Sequence, residues 1–241
     1  DVYKRQGVYE RAGVVRTNDG SVGTFTMIGT VSPAGGNFEE PVTQSTLATV
    51  KTFLGLSADR AYKRFYPAVD PLLSWSRYLD QLGEWYRDNL GPEWMDWVQE
   101  KLDLLREGDA VLQMMQVTGE EGVTLDDFLL YLKASFVDTI YLQQDAFDAV
   151  DVSVPLDRQK ELFELMRGVT DRRYAFEDKA AARDYFTRVS GLFKNLNYET
   201  RKSPRYQELL SQIESLQASI PVIGEGETDD VAEESQVAQQ A

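Results

Sequence analysis

Phe65 and Tyr66 form an aromatic pair directly before Pro67, in the stretch FYPAVDPLLSWSRYL, residues 65–79. Proline disfavours the helical conformation in the residue that precedes it, so Tyr66 is expected on a rigid turn and not inside a continuing helix. An aromatic ring held on such a turn can pack into the core or offer its face to another ring. The residues by themselves leave both roles open.

Two missing residue types limit the chemistry of the chain. It contains no histidine and no cysteine. This excludes disulfides, thiol nucleophiles, zinc–thiolate sites and catalytic triads built on either residue. The 25 Lys and Arg against 40 Asp and Glu give a formal net charge of −15, which repels a phosphate backbone. We therefore expect no nucleic-acid partner.

Three other groups of residues could do chemistry, and each has a simpler explanation. The loop Pro33-Ala34-Gly35-Gly36 could let backbone amides approach a phosphate. It lacks the Lys and Ser/Thr of a P-loop, however, and GxxxxGK[ST] occurs nowhere in the chain, so a plain turn is expected. Three acidic pairs lie near helix starts, where they favour the helix dipole: Glu39-Glu40, Glu120-Glu121 and Asp126-Asp127. The set Trp85, Trp94 and Trp97 has helical spacing and is expected in the core.

The first part of the chain has the composition of β-structure. Residues 8–31 are rich in β-branched residues and are interrupted by the turn signal Asn18-Asp19-Gly20. A Pro/Gly loop then leads to Pro41, which is well placed at the first position of a helix through residue 56. Ser57 is expected to cap the next short helix, over residues 57–65.

Helical periodicity dominates from Pro71 onward. Thr124 and Asp127 have the spacing of a capping box, and Ser203 precedes Pro204 as a cap. The helix that follows Thr124 is apolar nearly all round from Phe128, so it must be buried. We expect helices over residues 72–90, 92–116, 124–144, 156–166, 179–196 and 203–216.

The predicted fold class is mainly α with a small β-containing part. Residues 1–70 are interpreted as the end of an α/β domain, 71–221 as a helical domain and 222–241 as an acidic disordered tail. The chain begins at Asp1 and not at Met, so we expect a truncated chain and treat residues 1–6 as uninformative. No apolar run approaches the ~20 residues of a membrane span, and no secretory signal is present. A soluble, cytoplasmic chain without direct membrane insertion is expected.

Two separated motifs carry a family resemblance. Residues 29–80, GTVSPAGGNFEEPVTQ continuing to FYPAVDPLLSWSRYLD, resemble the VSPPGG-F-EPVTQ and RHFPAI-WL-SYSLYLD segments of the catalytic A subunit of V-type and A-type rotary ATPases. Residues 141–159, YLQQDAFDAVDVSVPLDRQ, resemble the FLQQNAFDEVD motif of the same family, and YERAG near the start also fits. The chain departs from the family pattern at Ala34, where a second proline is usual, and at Asp145, where asparagine is usual.

The resemblance implies a P-loop-type α/β nucleotide-binding domain followed by a C-terminal helical bundle. It implies ATP or ADP with Mg²⁺ as cofactors, and phosphoryl transfer between MgATP and water coupled to proton or sodium transport. The implied partners are the B subunits of the hexameric head, the central-stalk rotor subunit and other ATPase subunits, with the chain cytoplasmic and peripheral to the membrane. The family contacts its rotor near a helix–turn–helix tip, which matches the turn Thr118–Asp127, although a solvated loop is an equal alternative.

The resemblance also assigns site residues. It aligns Tyr66 with the aromatic that packs on the adenine ring, and Phe147 with a second aromatic across that pocket. It places Phe65 toward the core, makes Asp70 the residue that fixes the turn, and makes Arg77 structural or interfacial. The P-loop lysine, the Mg²⁺-binding Ser/Thr and the catalytic glutamate are expected upstream of Asp1. We therefore expect no catalytic or metal-binding residue in these 241 residues, and no ATP hydrolysis by this chain alone.

Two alternatives remain at this point. The chain could be a stand-alone acidic helical module that binds a basic partner without nucleotide chemistry. It could also be a fragment of an F-type β subunit, which shares YPAVDPL-S-SR but lacks the SPAGG-F-EPVTQ segment.

Overall fold

A computed structural model of the chain describes residues 2–223. These residues form two compact units. The first contains the residues up to Gly55 together with Leu73–Glu84, and the second contains Leu56–Leu72 and everything described from Trp85 onward. The predicted tail, residues 222–241, lies outside the described residues except for Val222 and Ile223. The predicted fold class is confirmed, since residues 2–223 are mainly helical with two small sheets.

The first unit holds a β-hairpin and a second, shorter strand pair. In the hairpin, Gly13 pairs with Phe25 and Arg16 with Val22, as the turn signal predicts. Hydrogen bonds from Thr17 and Ser21 lower the pKa of the Asp19 carboxyl in this turn to about 2. The elements are α1 (Val2–Tyr9), β1 (Gly13–Arg16), β2 (Val22–Phe25), a 3-10 turn (Ala34–Gly36), α2 (Pro41–Thr49), β3 (Thr52–Phe53) and β4 (Trp75–Ser76).

Three expectations for this part of the chain are wrong. Val8 and Tyr9 end helix α1 instead of opening a strand, and α2 stops at Thr49 instead of reaching residue 56. Residues 72–82, predicted to be helical, contain β4. Phe53 pairs with Trp75 and their rings are 6.1 Å apart, so pairing with β3 overrides the helical periodicity of this stretch.

The second unit is a helical bundle. A capping box at Thr124 and Asp127 starts α6, and Ser203 caps α9 through the amide of Tyr206, so both predicted caps are confirmed. The elements are α3 (Ala58–Tyr62), most of α4 (Gly83–Leu90), α5 (Trp94–Thr118), α6 (Leu125–Val137) with a π-turn (Asp138–Leu142), α7 (Leu156–Thr170), α8 (Lys179–Tyr198) and α9 (Pro204–Ala218).

The core of the bundle lies among α5 to α9. Phe136 on α6 packs edge-on against Phe193 on α8, with ring centroids 5.1 Å apart. Gly108 on α5 allows close contact with α6, because a Cβ added there would lie 2.2 Å from the Cβ of Ala134. Such contacts bury α6 as predicted.

Buried polar side chains in the bundle connect the ends of helices through hydrogen bonds. Arg158 donates to the carbonyls of Asn197 and Glu199 at 2.8 and 2.9 Å, at the C-terminal end of α8. Asn197 in turn donates to the carbonyl of Ile140 in the π-turn at 2.9 Å.

Within residues 2–223, no helix is both long and apolar enough to span a bilayer.

Candidate functional site

The turn that carries Tyr66 is built by α3 and the residues that follow it. The Ser57 side chain caps α3 by accepting from the amide of Arg60, and the amide of Ser57 donates to the carbonyl of Ala68 at 3.0 Å. The segment thus folds back on itself after the short helix. The Tyr66–Pro67 peptide bond is cis, and the Tyr66 side chain is 45% exposed.

The neighbours of Tyr66 along the chain make local structural contacts. Phe65 is half-buried, and the Arg60 guanidinium lies 4.4 Å from the centroid of its ring. Asp70 Oδ1 accepts from the amide of Leu72 at 2.9 Å and so fixes the end of the turn. Arg77, in the first unit, donates to the carbonyl of Ala48 at 3.3 Å and lies over the Trp75 ring. Arg77 is therefore part of the local packing.

The loop that carries Phe147 is held by aspartate side chains. Asp145 Oδ1 accepts from the amide of Phe147 at 2.9 Å, and Asp148 Oδ1 accepts from the amides of Val150 and Asp151. The buried Asp151 closes the loop by accepting from the amide of Asp145 at 2.6 Å. Phe147 lies on this loop and is 98% exposed.

One backbone hydrogen bond brings the turn and the loop together. The amide of Gln144 donates to the carbonyl of Tyr66 at 2.6 Å. Tyr66 and Phe147 therefore lie on two joined segments of the same unit, and both present aromatic surface that their own unit leaves uncovered. Isolated exposed aromatics are common on protein surfaces, but here two of them lie on segments that a backbone hydrogen bond joins.

The electrostatics of the loop disfavour an anionic group beside Phe147. Burial raises the pKa of the Asp151 carboxyl, and the nearby Asp148 and Asp145 add to this, while Arg158 opposes it. Tyr198 donates to Asp145 Oδ2 at 3.4 Å, and burial raises the pKa of its hydroxyl. Three aspartates around one loop repel phosphate oxygens, so this part of the chain disfavours a phosphate chain.

An ion pair between α3 and the end of α6 was not predicted from the sequence. Arg60 on α3 donates to both carboxylate oxygens of Asp138, at 2.7 and 2.9 Å. Asp138 is the first residue of the π-turn that leads to Gln144. No local signal links the two residues, because the contact exists only once α3 has packed beside the end of α6.

Several of the other candidate groups make structural contacts. The glycine loop forms a 3-10 turn with positive φ at Gly35 and Gly36, and the Gly36 amide donates to the carbonyl of Pro33 at 3.1 Å. Asp127 belongs to a capping box, and Glu120 pairs with Arg183. In the described part of the chain, no three carboxylates gather into a group that could hold a metal ion.

The tryptophan prediction is right for two of its three members. Trp94 is buried against Phe163, and Trp97 is half-buried with the Arg167 guanidinium 4.0 Å from its ring centroid. Trp85 is exposed instead, because it faces outward on the short helix α4 and contacts Tyr86 edge-on.

Two protein-family models match successive parts of the chain. Residues 2–76 match the nucleotide-binding domain of the ATP synthase alpha/beta family, and residues 83–182 match the C-terminal domain of V and A type ATP synthase. The first match includes Leu56–Leu72, which cluster with the helical unit in the structure. The segment that carries Tyr66 therefore matches the nucleotide-binding domain in sequence, but its contacts are with the helical unit.

The individual relatives described here are alpha chains of V-type ATP synthases. The chain is 48% identical over 200 residues to the V-type ATP synthase alpha chain of Chlamydia abortus, covering 83% of this chain and 34% of the relative. It is 45% identical over 208 residues to the alpha chain of Chlamydia trachomatis serovar D, covering 86% and 35%. The chain therefore spans about a third of the length of the curated relatives it matches.

A solved structure supports the fold. The ATP synthase subunit NeqB from Nanoarcheaum equitans matches with a TM-score of 0.57 at 18% identity, over 70% of this chain and 40% of that one. At this identity the match bears on the fold alone. The two domain matches and the alpha-chain relatives confirm the resemblance seen in the motifs: the chain belongs to the V- and A-type members of the ATP synthase alpha/beta family.

Proposed function

We propose that this chain is the C-terminal part of the catalytic subunit of a V/A-type rotary ATP synthase and that it supplies the adenine-contacting face of the nucleotide site. In this proposal Tyr66 and Phe147 contact the purine ring. The observation that carries it is the hydrogen bond from the Gln144 amide to the Tyr66 carbonyl, which joins the two segments with both rings exposed.

The chemistry of the two residues fits an adenine ring. Aromatic side chains stack on a base with a gain of about 1–3 kcal/mol per base. Neither ring carries a charge, and the surrounding aspartates disfavour phosphate, so the chain orients the base and leaves the phosphates to other residues. Binding energy from such a remote contact serves to position the reacting end of the substrate.

Phosphate chemistry is assigned to the rest of the subunit. The 241 residues contain no GxxxxGK[ST], and the chain spans only 34% of a matched alpha chain. In the proposal, Mg²⁺ and the residues that stabilise the transferring phosphoryl group lie outside these residues. The full subunit catalyses ATP synthesis or hydrolysis coupled to proton or sodium transport, with the chain peripheral to the membrane.

The turn between α5 and α6 is proposed as the rotor contact. Met114 and Val117 on the last turns of α5 are exposed, Val117 by 87%. These apolar side chains next to the turn Thr118–Asp127 offer a surface that a central-stalk subunit could cover. Crosslinking from Glu121 to that subunit in the assembled complex would support this contact, and its absence would count against it.

The test of the nucleotide proposal compares two ligands in the full-length subunit assembled with its partners. ATP and inorganic tripolyphosphate share the phosphate chain, but only ATP carries the base. With Tyr66→Ala, affinity for ATP should fall roughly 5- to 150-fold, as loss of one stacking contact implies. Affinity for tripolyphosphate should not change, and Tyr66→Phe should behave like the parent protein.

The matched control is Tyr62→Ala, four residues earlier on α3. Tyr62 is 85% exposed, and the proposal gives it no contact with the base. Equal loss of ATP and tripolyphosphate affinity in Tyr66→Ala would indicate damage to the fold. Unchanged ATP affinity in that variant would contradict the proposal and favour an interaction module without nucleotide chemistry.

A further inference from the structure

The ion pair between Arg60 and Asp138 links α3 to the end of α6. The two guanidinium nitrogens meet the two carboxylate oxygens at 2.7 and 2.9 Å. The side chains are 14% and 24% exposed, respectively. This two-pronged geometry fixes orientation as well as distance, so the pair restrains how α3 sits against α6.

Asp138 occupies a position that does not suit the helix itself. It is the C-terminal cap of α6, where a negative charge opposes the helix dipole. It also opens a π-turn over Asp138–Leu142, and such turns are frequent at functional sites. Pairing with Arg60 supplies the compensating positive charge, which accounts for a carboxylate at this helix end.

The pair is part of a closed ring of contacts that includes Tyr66. The Arg60 carbonyl accepts from the amide of Phe65 at 2.9 Å, and the Arg60 guanidinium covers the Phe65 ring. On the other side, the Asp138 carbonyl accepts from the amide of Gln143 at 3.1 Å. The hydrogen bond from Gln144 to Tyr66 closes the ring.

We propose that Arg60 and Asp138 are positioning residues for the adenine contact: their ion pair holds the Tyr66 turn against the π-turn segment, and so sets the separation of Tyr66 from the Phe147 loop. The inference rests on the proposed function. Neither residue touches the nucleotide in this account. Both act through the backbone of the segments that carry the two aromatic rings.

The experiment uses the full-length subunit in its assembled complex, with Arg60→Gln, Asp138→Asn and the double variant. Each single variant should weaken ATP binding about tenfold, since part of the stacking contact is lost. Tripolyphosphate binding should stay unchanged. The double variant should bind ATP no more weakly than either single variant, because one shared contact can be lost only once.

Two further variants keep the test informative. Arg60→Lys retains the charge but not the two-pronged geometry, so an intermediate ATP affinity is expected, and it substitutes for Arg60→Gln if that variant does not assemble. Arg188→Gln is the control, because it breaks an exposed ion pair with Asp184 on α8. It should leave ATP affinity unchanged.

The outcomes separate this inference from the proposed function. If Tyr66→Ala weakens ATP binding but the assembled Asp138→Asn variant does not, the positioning role is wrong and the adenine contact stands. Additive losses in the double variant would also overturn the positioning role. If Tyr66→Ala leaves ATP binding unchanged, the proposed function itself fails.

Discussion

The amide of Gln144 and the carbonyl of Tyr66 are joined by a hydrogen bond of 2.6 Å, and this contact connects two segments that are far apart in the sequence. One segment is the turn after α3, and the other follows the π-turn at the end of α6. Both belong to the helical unit. The two exposed aromatic residues of the candidate site are therefore held by one structural unit.

The chain by itself is expected to hydrolyse no ATP. Its residues include no GxxxxGK[ST] to hold the phosphates, and two aromatic rings cannot stabilise the charge of a transferring phosphoryl group. A phosphate-release assay with the purified chain and MgATP checks this expectation. Magnesium-dependent turnover that is abolished by Tyr66→Ala would contradict it.

Gly108→Ala is expected to destabilise the bundle. The new Cβ would lie 2.2 Å from the Cβ of Ala134, so α5 and α6 would have to separate, at a cost of about 1–3 kcal/mol in the free energy of unfolding. Urea unfolding of the two proteins measures this difference.

The matched control for that substitution is Gly191→Ala on α8. A Cβ added at Gly191 meets no atom within 4 Å. The better helix propensity of alanine should raise the free energy of unfolding by about 0.5–1 kcal/mol. Equal effects of the two substitutions would show that the contact between α5 and α6 is not limited by the volume at Gly108.

Asp151→Asn should change the pH dependence of stability. Burial raises the pKa of Asp151 in the folded chain, so the ionised carboxylate lowers stability as the pH rises through that raised pKa. Asparagine keeps an oxygen that can accept from the amide of Asp145. The free energy of unfolding of the variant, relative to the parent chain, should therefore rise as the pH increases above the ordinary carboxyl pKa of about 4.

Asp151→Ala provides the contrast for this experiment. Alanine removes the acceptor as well as the charge, which leaves the Asp145 amide without its partner and should cost about 1–3 kcal/mol. Chemical unfolding across the pH range measures both variants. A difference between Asp151→Asn and the parent chain that does not vary with pH would show that the Asp151 carboxylate is not affected by burial.

Elements with local signals could be predicted from the sequence. Ser57, Thr124 and Ser203 each accept from a backbone amide three residues later, which is the standard geometry of a helix start. Pro41 begins α2 because its ring favours the first helical position. These signals need no knowledge of the rest of the fold.

Residues 72–82 show where local reasoning fails. Their apolar spacing suits a helix, but the amide of Arg77 donates to the carbonyl of Lys51 at 2.7 Å, and Ser74 Oγ accepts from the amide of Gly55. Backbone pairing with a distant segment thus replaced the helix. The same limit applies to the site, because the meeting of Tyr66 with Gln144 and of Arg60 with Asp138 depends on tertiary contacts.

The most direct test of the adenine contact is photolabelling of the assembled full-length complex with an ATP analogue that carries an azide on the purine ring. Such a reagent attaches to residues beside the base. The account predicts label on Tyr66 or on the loop around Phe147, with the label suppressed by excess ATP. Label found only outside residues 56–72 and 143–152, in a complex that still binds the analogue, would contradict it.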